Sequence, residues 1–347
     1  MKKSILAIAA SLLILCGCGT KEVETGNMTL EEKAAQMLFV RCEDDMNYIL
    51  DKGAGGIVMF ERDFKDLTKD EVIKKISDFQ RSSKVPLFIA ADEEGGTVVR
   101  VSSNPYLRHE PFNSPAYYYR AGGMDNLINI TSEKSQLLYS LGINMNLGPV
   151  ADVSTDPDDF IYKRSLGENE NTTAQYVAEA VKASKRENVA SCLKHFPGYG
   201  SNEDTHTGIA VDKRPLSEFT DKDLVPFRLG IAEGAEAVLV SHNIVNCMDS
   251  ELPASLSPAV HHYLREAMNF NGIIMTDDME MDAVQAYGEA YIKAVNAGND
   301  MIIVSDFNAA LNEITEGVRN GEISESTIDE AVDRIIRIKK ECGIIRE

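Results

Sequence analysis

The chain has 347 residues, of which 44% are hydrophobic and 26% charged, and a formal net charge of −20 at pH 7. That composition is globular, with room for one large or two ordinary domains, and it excludes a disordered or fibrous chain. The acidic balance argues against nucleic acid and anionic lipid headgroups as partners, since like charges repel across a Debye length of about 8–10 Å.

The first residues carry two lysines, an apolar run over 4–15, and then Leu15-Cys16-Gly17-Cys18. The run is shorter than the about 20 residues a membrane-crossing helix needs, so it reads as a targeting segment. Leucine three places before a cysteine and a small residue directly before it resemble a bacterial lipobox. On that reading residues 1–17 are a lipoprotein signal peptide, Cys18 is lipidated, 18–28 is a flexible tether, and 29–347 is one folded domain. An ordinary secretory signal cut nearby is the competing interpretation. The remaining cysteines, Cys42, Cys192, Cys247 and Cys342, match no zinc-ligand spacing and are expected as buried thiols without a disulfide.

Eight short apolar runs follow, at 36–40, 56–60, 87–91, 143–149, 189–193, 237–240, 272–275 and 300–304. Each has strand length and is followed by polar or glycine-rich residues. Helical spacing is predicted between them over 69–81, 126–141, 172–188, 221–234, 258–268, 281–298 and 308–320. A last amphipathic helix over 325–342 carries Ile328, Val332, Ile335 and Ile336 on one face. Strands alternating with helices pair in parallel through crossovers, and eight such units predict a single (β/α)₈ barrel. An open doubly wound sheet is disfavoured because no Gly-rich phosphate loop follows the first strand; Gly53-Ala54-Gly55-Gly56 precedes a strand and reads as a turn. The stretch 105–119, rich in aromatics and proline, shows no periodicity and is expected to fold over a barrel mouth.

A barrel gathers its chemistry at the C-terminal ends of its strands. There the sequence offers Asp92, Glu93, Glu94 and Arg100 after the third run, Asp152 and Arg164 after the fourth, and Lys194 and His195 after the fifth. His242 follows the sixth run and Thr276-Asp277-Asp278 the seventh, while a Pro/Gly-broken loop beyond His195 carries Asp204, Thr205 and His206. Carboxylates, guanidiniums, an ammonium and imidazoles in one cleft can grip several hydroxyls, which suits a sugar. No residue cluster points to a metal, and neither a metal nor a cofactor is expected. Singly, each residue has a plainer reading: Asp277 or Asp278 as cap of a helix near Met281, Lys194 and His195 as a surface pair, Asp204 and His206 as exposed loop, Arg164 as a surface charge.

Lys194-His195-Phe196-Pro197-Gly198-Tyr199-Gly200, followed by Asp204-Thr205-His206, resembles the signature of glycoside hydrolase family 3, in its β-N-acetylhexosaminidase branch. Further motifs resemble that family in order over nearly all of the mature chain: Asp92-Glu93-Glu94-Gly95-Gly96 with Arg100, the stretch 146–152, Arg164-Ser165-Leu166-Gly167, Ser241-His242, and the stretch 276–281. The resemblance implies a retaining mechanism in which Asp277 is the nucleophile of a covalent glycosyl-enzyme. His206, oriented by Asp204, would be the acid and base, a double duty that an unperturbed pKa of about 6.5 suits. Asp278 would orient or cap the turn, and Gly198, Gly200 and Gly208 would let the loop move. Asp92, Arg100, Arg164, Lys194 and His195 would hold the hydroxyls and N-acetyl group. Thr97 stands where the branch commonly has arginine, which puts one contact to an acidic substituent or neighbouring sugar in doubt; Leu166 for the usual phenylalanine is a milder change.

The expectation is therefore an exo-acting β-N-acetylglucosaminidase that releases terminal GlcNAc from cell-wall or other GlcNAc-containing glycans. It would be a monomer outside the cytoplasmic membrane, touching that membrane only through lipid on Cys18, with no nucleic-acid partner. A β-glucosidase or a GlcNAc phosphorylase on the same fold competes as an enzyme, and a non-catalytic sugar-binding lipoprotein competes as a class. Intact Asp277, Asp204 and His206 speak against the last.

Overall fold

The structure, a computed structural model, describes residues 23–200, 210–281, 284 and 286–346; Cys18, Asp204 and His206 lie outside the described residues. Eight strands make one sheet: β1 (Leu38–Arg41), β2 (Gly56–Met59), β3 (Phe88–Ala91), β4 (Met145–Asn146), β5 (Ala190–Phe196), β6 (Ala237–Val240), β7 (Ile273–Thr276) and β8 (Ile302–Val304). They pair in the order β8-β1-β2-β3-β4-β5-β6-β7, all in parallel, and a parallel bridge between Met275 and Met301 joins the two ends. This is the expected (β/α)₈ barrel. Its strands read as unbroken apolar runs because the crossover helices cover the outer face while side chains fill the inner one. Every residue of β1 to β8 is buried except Arg41.

The outer helices follow from apolar spacing and caps. Helices Phe307–Arg319 and Glu325–Glu341 each turn one apolar stripe inward, through Leu311 and Ile314 in the first and Ile328, Val332 and Ile335 in the second. Thr29 and Thr68 open helices Leu30–Gln36 and Lys69–Ser82 with reciprocal capping boxes to Glu32 and Glu71. The first of these, and Asn47–Lys52, are too short for periodicity to reveal.

Three expectations need correction. Helix Pro115–Leu141 starts well before residue 126, so the end of the 105–119 stretch is helical. Ser114 accepts the Tyr117 N–H and Pro115 occupies the first turn, where its missing N–H costs nothing. Gly122 and Gly123, the latter at φ 70°, then break the helix and erase the periodicity that would have exposed it. Second, the predicted helix 281–298 is not continuous: among the described residues Val284 is helical, Glu289 at φ 57° interrupts the chain, and a helix then runs over Ala290–Ala297. Third, β5 runs on to Phe196, and Lys194 and His195 are 2% and 3% exposed rather than a surface pair. The four described cysteines are free; Cys42 and Cys192 are buried as expected, but Cys247 and Cys342 are partly exposed.

At the bottom of the barrel Lys339 is fully buried, its ammonium donating to Gln36 Oε1 at 2.9 Å and lying 5.5 Å from the centre of the Phe88 ring. Burial, with no carboxylate to offset it, pushes its pKa down from 10.5 to about 7. A lysine pKa depressed by folding costs stability as pH falls below the unfolded value, and the cost is complete below the folded one. Lys339→Met should therefore raise Tm most at or below pH 7, with the gain fading toward pH 10.5. A gain that stays constant across that range in thermal melts would overturn the assignment.

Candidate active site

At the C-terminal ends of the strands lies a cavity of about 230 Å³ walled by Asp92, Arg100, Arg164, Lys194, His195 and Asp277, the described residues expected from sequence, together with Arg41, Phe60 and Asp278. It is smaller than the about 300–1,000 Å³ of drug-sized ligand pockets, as a subsite for one ring would be. A larger cavity of about 490 Å³ opens at the opposite end, where β5, β6 and β7 begin. Three of its charged groups are taken up internally: Glu236 accepts the Ser191 N–H, and Arg337 pairs with Glu341 and the Asn271 carbonyl. Barrel chemistry sits at the other face.

A buried carboxylate to which the sequence assigned no role organises the cation cluster. Glu94, 1% exposed at its side chain, accepts both arms of Arg164, from Nε at 3.0 Å and Nη2 at 2.7 Å, and pairs with Lys194 Nζ at 2.6 Å. Burial works to raise the Glu94 pKa, but Lys194 and Arg164 outweigh it and hold the group well below the usual carboxylate range. Lys194 also donates to Asp92 Oδ1 at 2.6 Å. Burial lowers the Lys194 pKa, Asp92 and Glu94 more than offset that, and the ammonium stays charged. Lys134 props the same turn from behind, donating to the Glu94 carbonyl at 2.6 Å; burial brings its pKa down to about 8 despite Glu93 and Glu94.

The register of β5 against β6 shifts between Leu193 and Phe196, a bulge that lets consecutive residues Lys194 and His195 both serve the cavity instead of alternating across the sheet. The His195 ring is fixed at both nitrogens: Nδ1 lies 2.7 Å from Asp152 Oδ2, and Nε2 lies 2.9 Å from Arg164 Nη2. Arginine can only donate, so Nε2 accepts and the Nδ1 proton points at Asp152. Asp152, fully buried, also accepts the backbone N–H of His195 and of Tyr199. Glu93 plays a like part for Arg100, accepting the N–H groups of Arg100 at 2.9 Å and Val101 at 2.7 Å.

The seventh-strand turn is tied down in backbone and side chain. Asp277 N–H donates to the Val240 carbonyl at 2.9 Å, and Asp278 N–H to Asp277 Oδ1 at 2.8 Å. His242 Nε2 donates to the Asp278 carbonyl at 3.0 Å, and its Nδ1 meets the Ser255 hydroxyl at 2.7 Å. Burial pushes the Asp277 pKa up, but His242, the Asp278 amide and Lys194 together bring it below its ordinary value. Asp278 points to Arg41 instead, whose Nε donates to Asp278 Oδ2 at 2.6 Å.

Beyond His195 the chain makes a close-packed turn. Gly198 and Gly200 have φ 119° and 56°; a Cβ on Gly198 would sit 2.7 Å from that of Asp223, and one on Gly200 would strike the Arg214 guanidinium. Arg214 itself is gripped by Asp212 at 2.7 Å and Asp223 at 2.8 Å. Thr97 is exposed and stands outside the cavity lining, while Leu166 is buried in the core. Glu94 and Asp152 stood among the strand-end residues of the sequence, yet nothing in sequence reveals which cation a carboxylate meets. Arg41 carried a usable signal, being the charged residue that directly ends an apolar run.

A closed parallel barrel whose strand ends enclose one small pocket of interlocked carboxylates and cations defines an enzyme for a compact, hydroxyl-rich substrate. The chain belongs to glycosyl hydrolase family 3: the family described as Glycosyl hydrolase family 3 N terminal domain matches residues 29–338. It is 30% identical over 269 residues to a beta-hexosaminidase of Xylella fastidiosa, covering 75% of this chain and 78% of that protein. It is likewise 30% identical to beta-hexosaminidase LpqI of Mycobacterium tuberculosis, covering 74% of this chain and 68% of that one. The solved family 3 beta-N-acetylglucosaminidase of a Paenibacillus species superposes with a TM-score of 0.86 at 30% identity over 92% of this chain, which spans 64% of that protein. A family 3 glycosyl hydrolase of Mycobacterium smegmatis matches with a TM-score of 0.82 at 28% identity over 91% of this chain and 98% of its own.

Proposed function

We propose that the chain is a retaining exo-β-N-acetylglucosaminidase that removes terminal GlcNAc from GlcNAc-containing glycans, cell-wall fragments among them. The observation that carries this reading is the meeting of Asp277 with Asp92, Arg100, Arg164, Lys194 and His195 around one cavity sized for a single ring. The hexosaminidase names of relatives at about 30% identity support the choice of sugar. In this reading Asp92 accepts from hydroxyls, and Arg100, Arg164 and Lys194 donate to hydroxyls and the N-acetyl oxygen. Ionised Asp277 attacks the anomeric carbon as His206, aligned by Asp204, protonates the leaving oxygen. A water then displaces Asp277, His206 taking its proton, and the sugar leaves with its configuration retained.

The domain would act outside the cytoplasmic membrane, tethered through lipid on Cys18; the lipobox-like sequence supports that placement. Incubation with an activated, slow-turnover fluorosugar, followed by digestion, should find the sugar on Asp277. Untreated enzyme should hydrolyse nitrophenyl GlcNAc faster than nitrophenyl glucoside, with or without phosphate. Label on Asp278, a preference for glucoside, or a rate that requires phosphate would each defeat the proposal.

A further inference from the structure

We propose that Arg41 is a positioning residue that keeps the Asp278 carboxylate from acting on Asp277. This rests on the reading of Asp277 as nucleophile. Asp277 and Asp278 are consecutive carboxylates that wall the same cavity. Two acids sharing a site impede each other's ionisation, and a nucleophile that must be charged cannot tolerate an unmatched neighbour. Arg41 supplies the match: Nε donates to Asp278 Oδ2 at 2.6 Å, and Nη2 meets the same oxygen.

The arrangement is built rather than incidental. Arg41 is the final residue of β1 and the single residue of the barrel strands that is not buried. Its guanidinium lies 5.2 Å from the centre of the Phe60 ring, so an aromatic wall backs it while the carboxylate faces it. The remaining charged neighbours of Asp277 have other partners. Asp92 is paired with Lys194, which together with Arg164 also holds Glu94, and His195 is bound to Asp152. His242 is engaged with the Asp278 carbonyl and Ser255, and Arg100 stands 3.9 Å from Asp92. Among the described residues, Arg41 is the cation ion-paired with Asp278.

The test is the pH dependence of inactivation by an activated fluorosugar whose anomeric leaving group is fluoride. Asp277 forms the C1–O bond as C1–F breaks and fluoride departs with the electron pair, so no proton donor is needed and the acid limb reports the nucleophile. Arg41→Met should move that limb upward by about one pH unit. Arg41→Lys should leave it in place, and the double variant Arg41→Met/Asp278→Asn should return it. Asp278→Asn alone, with Arg41 left unmatched, should lower the limb or leave it, which keeps a readout if Arg41→Met does not fold. An unmoved limb in Arg41→Met, the same rise in the double variant, or a rise in Asp278→Asn overturns the proposal. Mapping the label separates the two claims: label away from Asp277 defeats the nucleophile assignment, whereas label on Asp277 with an unmoved limb defeats the role of Arg41 alone.

Discussion

Asp277→Ala is expected to lower kcat by about 10⁴-fold or more on every glycoside, whatever its leaving group. A nucleophile is needed to break the glycosidic bond however readily the other half departs. No neighbour can stand in: Asp278 is turned to Arg41, and Asp92 is held by Lys194. His206→Ala should behave differently, with a large loss on natural glycosides and a small one on aryl glycosides whose leaving group needs no proton. The contrast is measured by glycosylation rates across a series of leaving-group pKa values. A flat series for His206→Ala, or a steep one for Asp277→Ala, would reverse the two assignments.

Glu94→Ala should also be damaging, though less so, through a residue that need not touch the sugar. Its carboxylate is buried against Arg164 and Lys194 at 2.6 to 3.0 Å, and removing it leaves Arg164 without its carboxylate and Lys194 with Asp92 alone. Breaking a buried pair from one side costs about 3–5 kcal/mol of stability. Freed of their common anchor, Arg164 and Lys194 also lose their aim, and kcat/KM should fall by about 10²-fold or more. The pH dependence has a definite sign. A carboxylate whose pKa falls on folding adds stability above its unfolded value, near 4.3, and loses it only as pH drops through the folded value. Below the range in which Lys134 titrates, the difference in unfolding free energy between wild type and Glu94→Ala should thus be flat from about pH 6 to pH 7 and shrink in acid. Denaturant melts in which the difference first appears above pH 7 would point to another group.

The barrel was legible because a strand buried on both faces is apolar over most of its length, and each such run is followed by a crossover before the next. The residues of the candidate site were legible by the same logic, since Asp92, Lys194, His195 and Asp277 are charged or polar groups placed where such a run stops, and the structure brings them around one cavity. Helix Pro115–Leu141 was half hidden, because Gly122 and Gly123 reset its phase and the apolar stripe no longer repeats. Helix Ala290–Ala297 was overextended for the opposite reason: the residues before it have helical composition, but Glu289 at φ 57° marks a turn there.

The sequence by itself determined the class of fold, the strand ends that carry chemistry and the family motifs, because periodicity and spacing are local properties of the chain. Only the tertiary structure decided how those charges divide among themselves. Glu94 takes Arg164 and Lys194, Asp152 takes His195, and Arg41 takes Asp278, each pair joining elements far apart in sequence. Such choices depend on distances of a few ångströms and on burial that strengthens every interaction it does not destroy, and neither is written in the order of residues.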